Sequence, residues 1–459
     1  MRVKRIISAL TALVMLCAFG AHCENTALWQ FGFSVKNISA DIDNGEKLYI
    51  AGYNQGWEIE GVLDECQARA VCIRAGSKTV LLIGIDSIAL DSGTVGEIRK
   101  RLSDLKNIDA INVYSTHSHA SLDTLGLWGP IGRDGKNSEY MNNLIDAAAE
   151  AGREAANALA PARLYYGKVK TENMYRDSRL PIVSDENLYH MRFEPAGGGE
   201  GLRMYFYGAH AESLRGDNKL LSRDFPGLLV DSVKTETGDN AMFLPGAIGG
   251  LIMTKAFISD TSAEAVKNLT ITAEKLTAYA LSITPEAERE LKPEMLLSRV
   301  QFEAALDNPV FLAYKLLGIL GTQSKRTGEG KTGYSVVSEL NVVLLDDVAL
   351  ALIPGEIFPE LVLGGEYGDA NPDKSENPRP LKEIAAENGI SELLIVGLAN
   401  DELGYIVPPS DFLVNEKLPF IEKIVDYKGE NHYEETNSVG IGCAETIAKA
   451  FETAVKSLK

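Results

Sequence analysis

Apolar residues in this chain gather into short dense runs closed by glycine, proline or acidic residues, and stretches of helical period separate them. Three times the runs recur in one order: two strands joined by a turn, then a helix, then another strand. The first unit reads QARAVCIRA, the turn GSK, TVLLIGIDS, a helix near 92–105, and INVYSTHSHA. The second reads LYHMRFE, the turn PAGGGEG, LRMYFYGAHAE, a helix near 225–236, and AMFLPGAIGG. The third reads SVVSELNVVL, the turn LDD, VALALIPGE, a helix near 380–389, and ELLIVGLANDELGY. Runs as continuous as TVLLIGI and LLIVGLA belong to strands covered on both faces. The expected fold is therefore layered α/β, with mixed β-sheets flanked by helices and built from repeated hairpin–helix–strand units. A helical excursion is expected over roughly 260–325, ending in the polar loop SKRTGEGKTG.

That loop contains Gly-Lys-Thr, but position 325, where a phosphate-binding loop needs its first glycine, is Lys. No apolar strand precedes it either, so a solvent loop is expected there. PAGGGEG reads as a hairpin turn for the same lack of context.

Composition narrows the class. Of 459 residues, 45% are hydrophobic and 24% charged, which is the balance of a globular protein. Asp and Glu number 64 against 45 Lys and Arg, a net charge of −19. A surface this acidic repels phosphate backbones and anionic headgroups, so nucleic-acid binding is not expected and membrane contact is at most peripheral. The first 23 residues differ: basic MRVKR, then apolar IISALTALVMLCAFG, then Ala21-x-Cys23 before Glu24. The apolar part is short for a membrane span and has the form of a cleaved export signal. Lipidation at Cys23 ranks second, because His22 stands where processing wants a small residue. Past the signal, Cys66, Cys72 and Cys443 remain. Cys66 and Cys72 would lie about 20 Å apart on one extended run, too far to bridge, and all three read as packed thiols.

Polar groups crowd the strand ends. His117-Ser118-His119 closes INVYS, and His210 closes LRMYFYGA. Ligands of α/β proteins bind beyond such ends, where side chains of separate strands converge. Two histidines two apart share a face, about 7 Å from each other, so one can hold a metal while the other faces a reacting water. A pair of buried, hydrogen-bonded histidines fits the spacing equally. The third unit adds Glu356 after Pro354-Gly355 and Tyr405 at the end of GLANDELGY. Two imidazoles, a carboxylate and one more oxygen suit zinc, and zinc with an open position makes hydroxide available at neutral pH.

The run from DIDNGEKLYIAGY through ECQARAVCI, STHSHA, FYGAHAES, IPGEIFPE and GLANDELGYIVPPSDF resembles the catalytic domain of the neutral/alkaline non-lysosomal ceramidase family, over about 35–450. The resemblance implies a zinc centre held by His117, His210, Glu356 and Tyr405, with His119 as acid/base. It also carries over Arg176, in NMYRDSR, and Tyr433, in HYEETNS, as catalytic groups that stabilise the reacting carbonyl. The implied activity is zinc-dependent hydrolysis of an amide bond in N-acylsphingosine or a related N-acyl lipid, by an exported protein.

Two features depart from that family. Its serine, in a Gly-Asp-x-Ser-Pro segment, is replaced here in AIGGLIMT, with Ile252 about where serine stands. The chain also ends near Lys459, without room for the family's immunoglobulin-like C-terminal domain, so residues 24–459 are expected to form a single catalytic domain. With the serine gone, a zinc esterase or deacetylase of another small-molecule or lipid substrate is one alternative. A catalytically silent binding protein of the same fold is the other.

Overall fold

A computed structural model describes residues 28–458 except 39, 43–44, 178, 251, 260, 366–374 and 427–428. The expected export signal and Cys23 lie outside the described residues. All three expected units form in register. In each, an antiparallel hairpin leads through a helix to a strand parallel to the hairpin's second arm. Gln67–Ala75 pairs antiparallel with Lys78–Ile85, which the helix Ser92–Arg101 connects to the parallel strand Ala110–Ser115. Asn187–Pro195 and Leu202–Tyr207 form the second hairpin, followed by the helix Asp224–Thr237 and the parallel strand Asn240–Pro245. Tyr334–Leu345 and Val348–Leu352 form the third, followed by the helix Leu381–Glu387 and the parallel strand Glu392–Val396.

The first two units join into one mixed sheet of nine strands, bridged by Trp29–Asn37 and Ala160–Lys170, and the third builds a second sheet of five. The sheets pack face to face, and the alternation of side chains along each strand says why. In Lys78–Ile85, Val80 and Leu82 enter the core between the sheets, whereas Leu81, Ile83 and Ile85 face the helices Ser92–Arg101 and Ser138–Asn157. In Val348–Leu352, Val348, Leu350 and Leu352 face the other sheet, while Ala349 and Ala351 face the helices Leu381–Glu387 and Cys443–Ser457. Each strand is thus apolar on both faces, and the result is four layers, helix–sheet–sheet–helix.

The excursion over 260–325 is corrected by the structure. Ala265–Ser282 and Pro309–Leu316 are helices, but Met295–Leu306 is a long strand antiparallel to Tyr334–Leu345. Its period of two is present in the sequence: Val300, Phe302, Ala304 and Leu306 join the core under the C-terminal helix. It lies at the sheet's edge, where the opposite face carries Arg299, Gln301 and Glu303, so no continuous apolar run marks it. The polar loop begins as a short strand, Ser324–Arg326, on the same sheet, and Gly-Lys-Thr lies in the turn that follows. The three described cysteines are free and buried.

Candidate metal centre

The carboxyl ends of the three parallel strand pairs meet, and backbone hydrogen bonds fasten them. Ser115 N–H donates to Leu398 O and Asn400 N–H to Val113 O, tying the first unit to the third. Gly397 N–H donates to Pro245 O, tying the third to the second. Single bridges between Ser118 and Ala211 and between His210 and Met253 close the ring. Side chains leaving these ends therefore converge on one point, with His117, His210, Glu356 and Tyr405 all buried.

Two of the imidazoles are locked by main-chain carbonyls. His117 Nδ1 lies 2.8 Å from Ile88 O, and His210 Nδ1 lies 2.9 Å from Ile252 O. A carbonyl only accepts, so each Nδ1 carries a proton and each ring turns its Nε2 inward. Glu356 Oε2 sits 2.9 Å from His210 Nε2 and 3.3 Å from His117 Nε2. His119 Nε2 lies 3.1 Å from His117 Nε2, and one nitrogen from each of His117, His119 and His210 falls within 4.8 Å of the others. Ring nitrogens and a carboxylate oxygen thus converge on one point, an arrangement that shared protons or a cation must hold together. These histidines can hold a metal ion, and the nitrogen and oxygen donors are those zinc takes.

Local backbone serves this convergence. His117 has a left-handed φ of 65°, a costly conformation for a residue with a side chain, held by the bridged segments on either side. Glu356 pairs in a two-residue parallel ladder with Tyr405. The ladder needs Gly355, with φ of 142°, because a Cβ there would lie 2.6 Å from Gly404 O. Burial works to neutralise Glu356, but the His117 and His210 imidazoles outweigh it and hold the carboxyl well below the usual range. Burial also disfavours a charged His210, which Glu356 more than offsets, so its pKa rises. The reverse holds for His119: burial, then the neighbouring His117 and His210, push it well down.

The centre opens into a cavity of about 440 Å³, lined by His117, His119, Glu356, Tyr405, Tyr433, Glu402 and an apolar wall that includes Leu125, Leu127, Trp128, Phe311 and Leu320. Tyr433 stands at its edge, 39% exposed, with its ring centroid 6.4 Å from that of Tyr405. Arg176 is not among the lining residues. It lies in a two-residue ladder with Met253-Thr254, where Tyr175 turns inward to stack on Tyr207 and Arg176 is exposed. The buried arginine of NMYRDSR is Arg179, which bonds Asp411, Glu434 and Glu435 and so anchors the turn that carries Tyr433. Ile252 is buried, and what it gives the centre is its carbonyl, which fixes His210. Sequence reasoning passed over Glu402, Tyr53 and the Ile88 carbonyl. The first two stand in the quoted segments GLANDELGY and LYIAGY, whereas a main-chain acceptor leaves no residue-type signal.

No family model matches this chain, and no curated protein does. Solved structures do. The crystal structure of neutral ceramidase from Pseudomonas aeruginosa superposes with a TM-score of 0.73 at 16% identity, over 94% of this chain and 74% of that one. A second, a ceramidase complexed with C2, gives 0.70 at 15%, over 94% and 75%. The fold is that of a neutral ceramidase. The superpositions, at identity this low, show the fold alone and leave chemistry to the residues of the site.

Proposed function

We propose that this protein is an exported, zinc-dependent amide hydrolase acting on an N-acyl lipid of the ceramide type. One observation carries the reading: two imidazoles with their Nδ1 atoms tied to carbonyls turn Nε2 toward the same carboxylate oxygen at a cavity floor. His117, His210 and Glu356 would hold the ion, with the Tyr405 phenol as the remaining oxygen. When bound, zinc supplies a Lewis acid for the scissile carbonyl and lowers the pKa of water.

The other groups divide the remaining work. His119 stands beside the ligands and faces the cavity, placed to take a proton from the attacking water and deliver it to the leaving amine nitrogen. Tyr433 is better placed than Arg176 to donate a hydrogen bond to the carbonyl oxygen as it gains charge, because its side chain lines the cavity. Leu125, Leu127, Trp128, Phe311 and Leu320 offer an acyl chain an apolar wall. The leader-like first 23 residues support export, and among the described residues no helix is long and apolar enough to cross a membrane. Net charge of −19 argues against nucleic acid as a partner.

Ile252 favours a second reading, a binding protein that kept the pocket without the chemistry, because a buried aliphatic side chain supplies no hydroxyl. Two measurements decide. Metal analysis after metal-replete expression is expected to find close to one zinc per chain, and a tenth of that or less would end the zinc reading. A panel of N-acylsphingosines, simple esters and N-acyl amino acids is expected to show cleavage of the sphingosine amides. Turnover of esters alone would make the protein a zinc esterase, and no turnover of any would leave the binding reading.

A further inference from the structure

The imidazoles of the centre are held in two different ways. His117 and His210 each give a proton to a carbonyl, but His119 Nδ1 is buried without a hydrogen-bond partner among the described residues. Packing holds that ring. Gly52 presses on one side, where an added Cβ would lie 2.7 Å from both Cβ and Nδ1 of His119. Tyr53 meets it edge-on, with ring centroids 5.2 Å apart and planes at 65°. The Tyr53 hydroxyl donates to Glu212 Oε2, and Glu212 is buried with its other oxygen unpartnered among the described residues. Glu212 lies two residues past His210, on the segment whose Ala211 carbonyl accepts the backbone N–H of His119 at 2.9 Å. One short stretch of chain thus carries a metal-ligand candidate, the anchor of the His119 backbone and the anchor of the ring that packs on its side chain.

Orientation matters for this imidazole more than for its neighbours. The torsion that turns a histidine ring is broad and two-fold, so a ring whose Nδ1 has no hydrogen bond, and whose Nε2 meets only another imidazole, depends on its packing to stay in one orientation. Proton transfer requires the accepting nitrogen within hydrogen-bond reach of the water, and a misplacement of about 1 Å costs on the order of a hundredfold in rate. We propose that Tyr53, tethered by Glu212, is a positioning residue that holds the His119 imidazole in the orientation that proton transfer needs. The consequence for turnover rests on the amide-hydrolase reading, whereas the orientation of the ring does not.

The zinc-loaded full chain tests both parts. Tyr53→Phe keeps the ring and loses the tether; kcat for a cleaved amide is expected to fall about tenfold with KM within about twofold, and Tyr53→Leu to fall about a hundredfold. Glu212→Gln keeps an acceptor and is expected to stay within about threefold of wild type. The double variant Tyr53→Phe with Glu212→Ala is expected to be no worse than the worse single variant, because both remove one tether. Activity is not the only readout. The chain has six histidines, few enough for selective labelling, and the His119 ring resonance is expected to be single in wild type and broadened or doubled in Tyr53→Leu at unchanged zinc content. An unchanged His119 resonance in folded Tyr53→Leu overturns the proposal; if that variant does not fold, the same comparison in Tyr53→Phe decides. A raised KM with unaltered kcat also overturns it, making Tyr53 a substrate contact. Wild type that cleaves no amide ends the amide-hydrolase reading, and the resonance comparison still decides the positioning role.

Discussion

Glu356 and Tyr405 are register partners in a parallel ladder only two residues long, Glu356-Ile357 against Tyr405-Ile406. The ladder sits past the ends of Val348–Leu352 and Glu392–Val396, so the third unit delivers a carboxylate and a phenol side by side. A carboxylate in this buried position is tolerated because it meets two imidazoles, and a divalent cation would hold it still more firmly. Glu356→Gln is therefore expected to weaken zinc and abolish turnover together, with zinc affinity down at least about tenfold. Competition against a chromogenic chelator measures it. Unchanged zinc content and unchanged turnover would remove Glu356 from the site.

His119 separates from the ligands by its role. Its nitrogen belongs to the same cluster of three imidazoles, yet no carbonyl among the described residues locks it. His119→Ala is expected to retain zinc and to lose about 10²- to 10⁴-fold in kcat, the range of a general acid–base group. Stoichiometric loss of zinc in this variant would make His119 a ligand, and full activity would leave it a packing residue.

Ile252 acts on the centre through its carbonyl, which survives any side-chain substitution. Ile252→Ser is therefore expected to bind zinc within about twofold of wild type, while the buried hydroxyl costs on the order of 1–3 kcal/mol of stability unless it finds a partner. Zinc titration and denaturant unfolding report the two effects separately. Zinc loss comparable to that of Glu356→Gln would show that the side chain matters.

A pH dependence is expected away from the metal centre, at Glu360. Burial raises its carboxyl to about 8, and the nearby Asp177 and Asp411 add to the rise. Because the folded pKa exceeds the unfolded value, the folded state binds the extra proton between the two. Stability from this group is complete below the ordinary glutamate pKa and is lost as pH rises toward about 8. Thermal unfolding of wild type is expected to drop between pH 5 and pH 8.5 relative to Glu360→Gln, which has no proton to lose. Parallel curves for the two proteins would refute this.

The sequence by itself determined the three hairpin–helix–strand units, because each is a local alternation of apolar runs and turns that neighbouring residues dictate. It also placed His117, His119, His210, Glu356 and Tyr405 at strand ends, since a polar residue closing an apolar run must leave the core there. What only the tertiary structure decided was relative position. Met295–Leu306 becomes a strand by pairing with Tyr334–Leu345 across a sheet edge, a long-range contact that a half-polar segment does not announce. Which arginine of NMYRDSR is buried is likewise a matter of tertiary contact: Arg176 is exposed, whereas Arg179 meets Asp411 and Glu434, more than two hundred residues further along the chain. The locks on His117 and His210 are carbonyls of Ile88 and Ile252, an atom that any residue at those places would have offered. Side-chain pattern is written in the sequence because burial selects residue types, whereas a backbone acceptor is common to all residues and becomes specific only where the fold brings it.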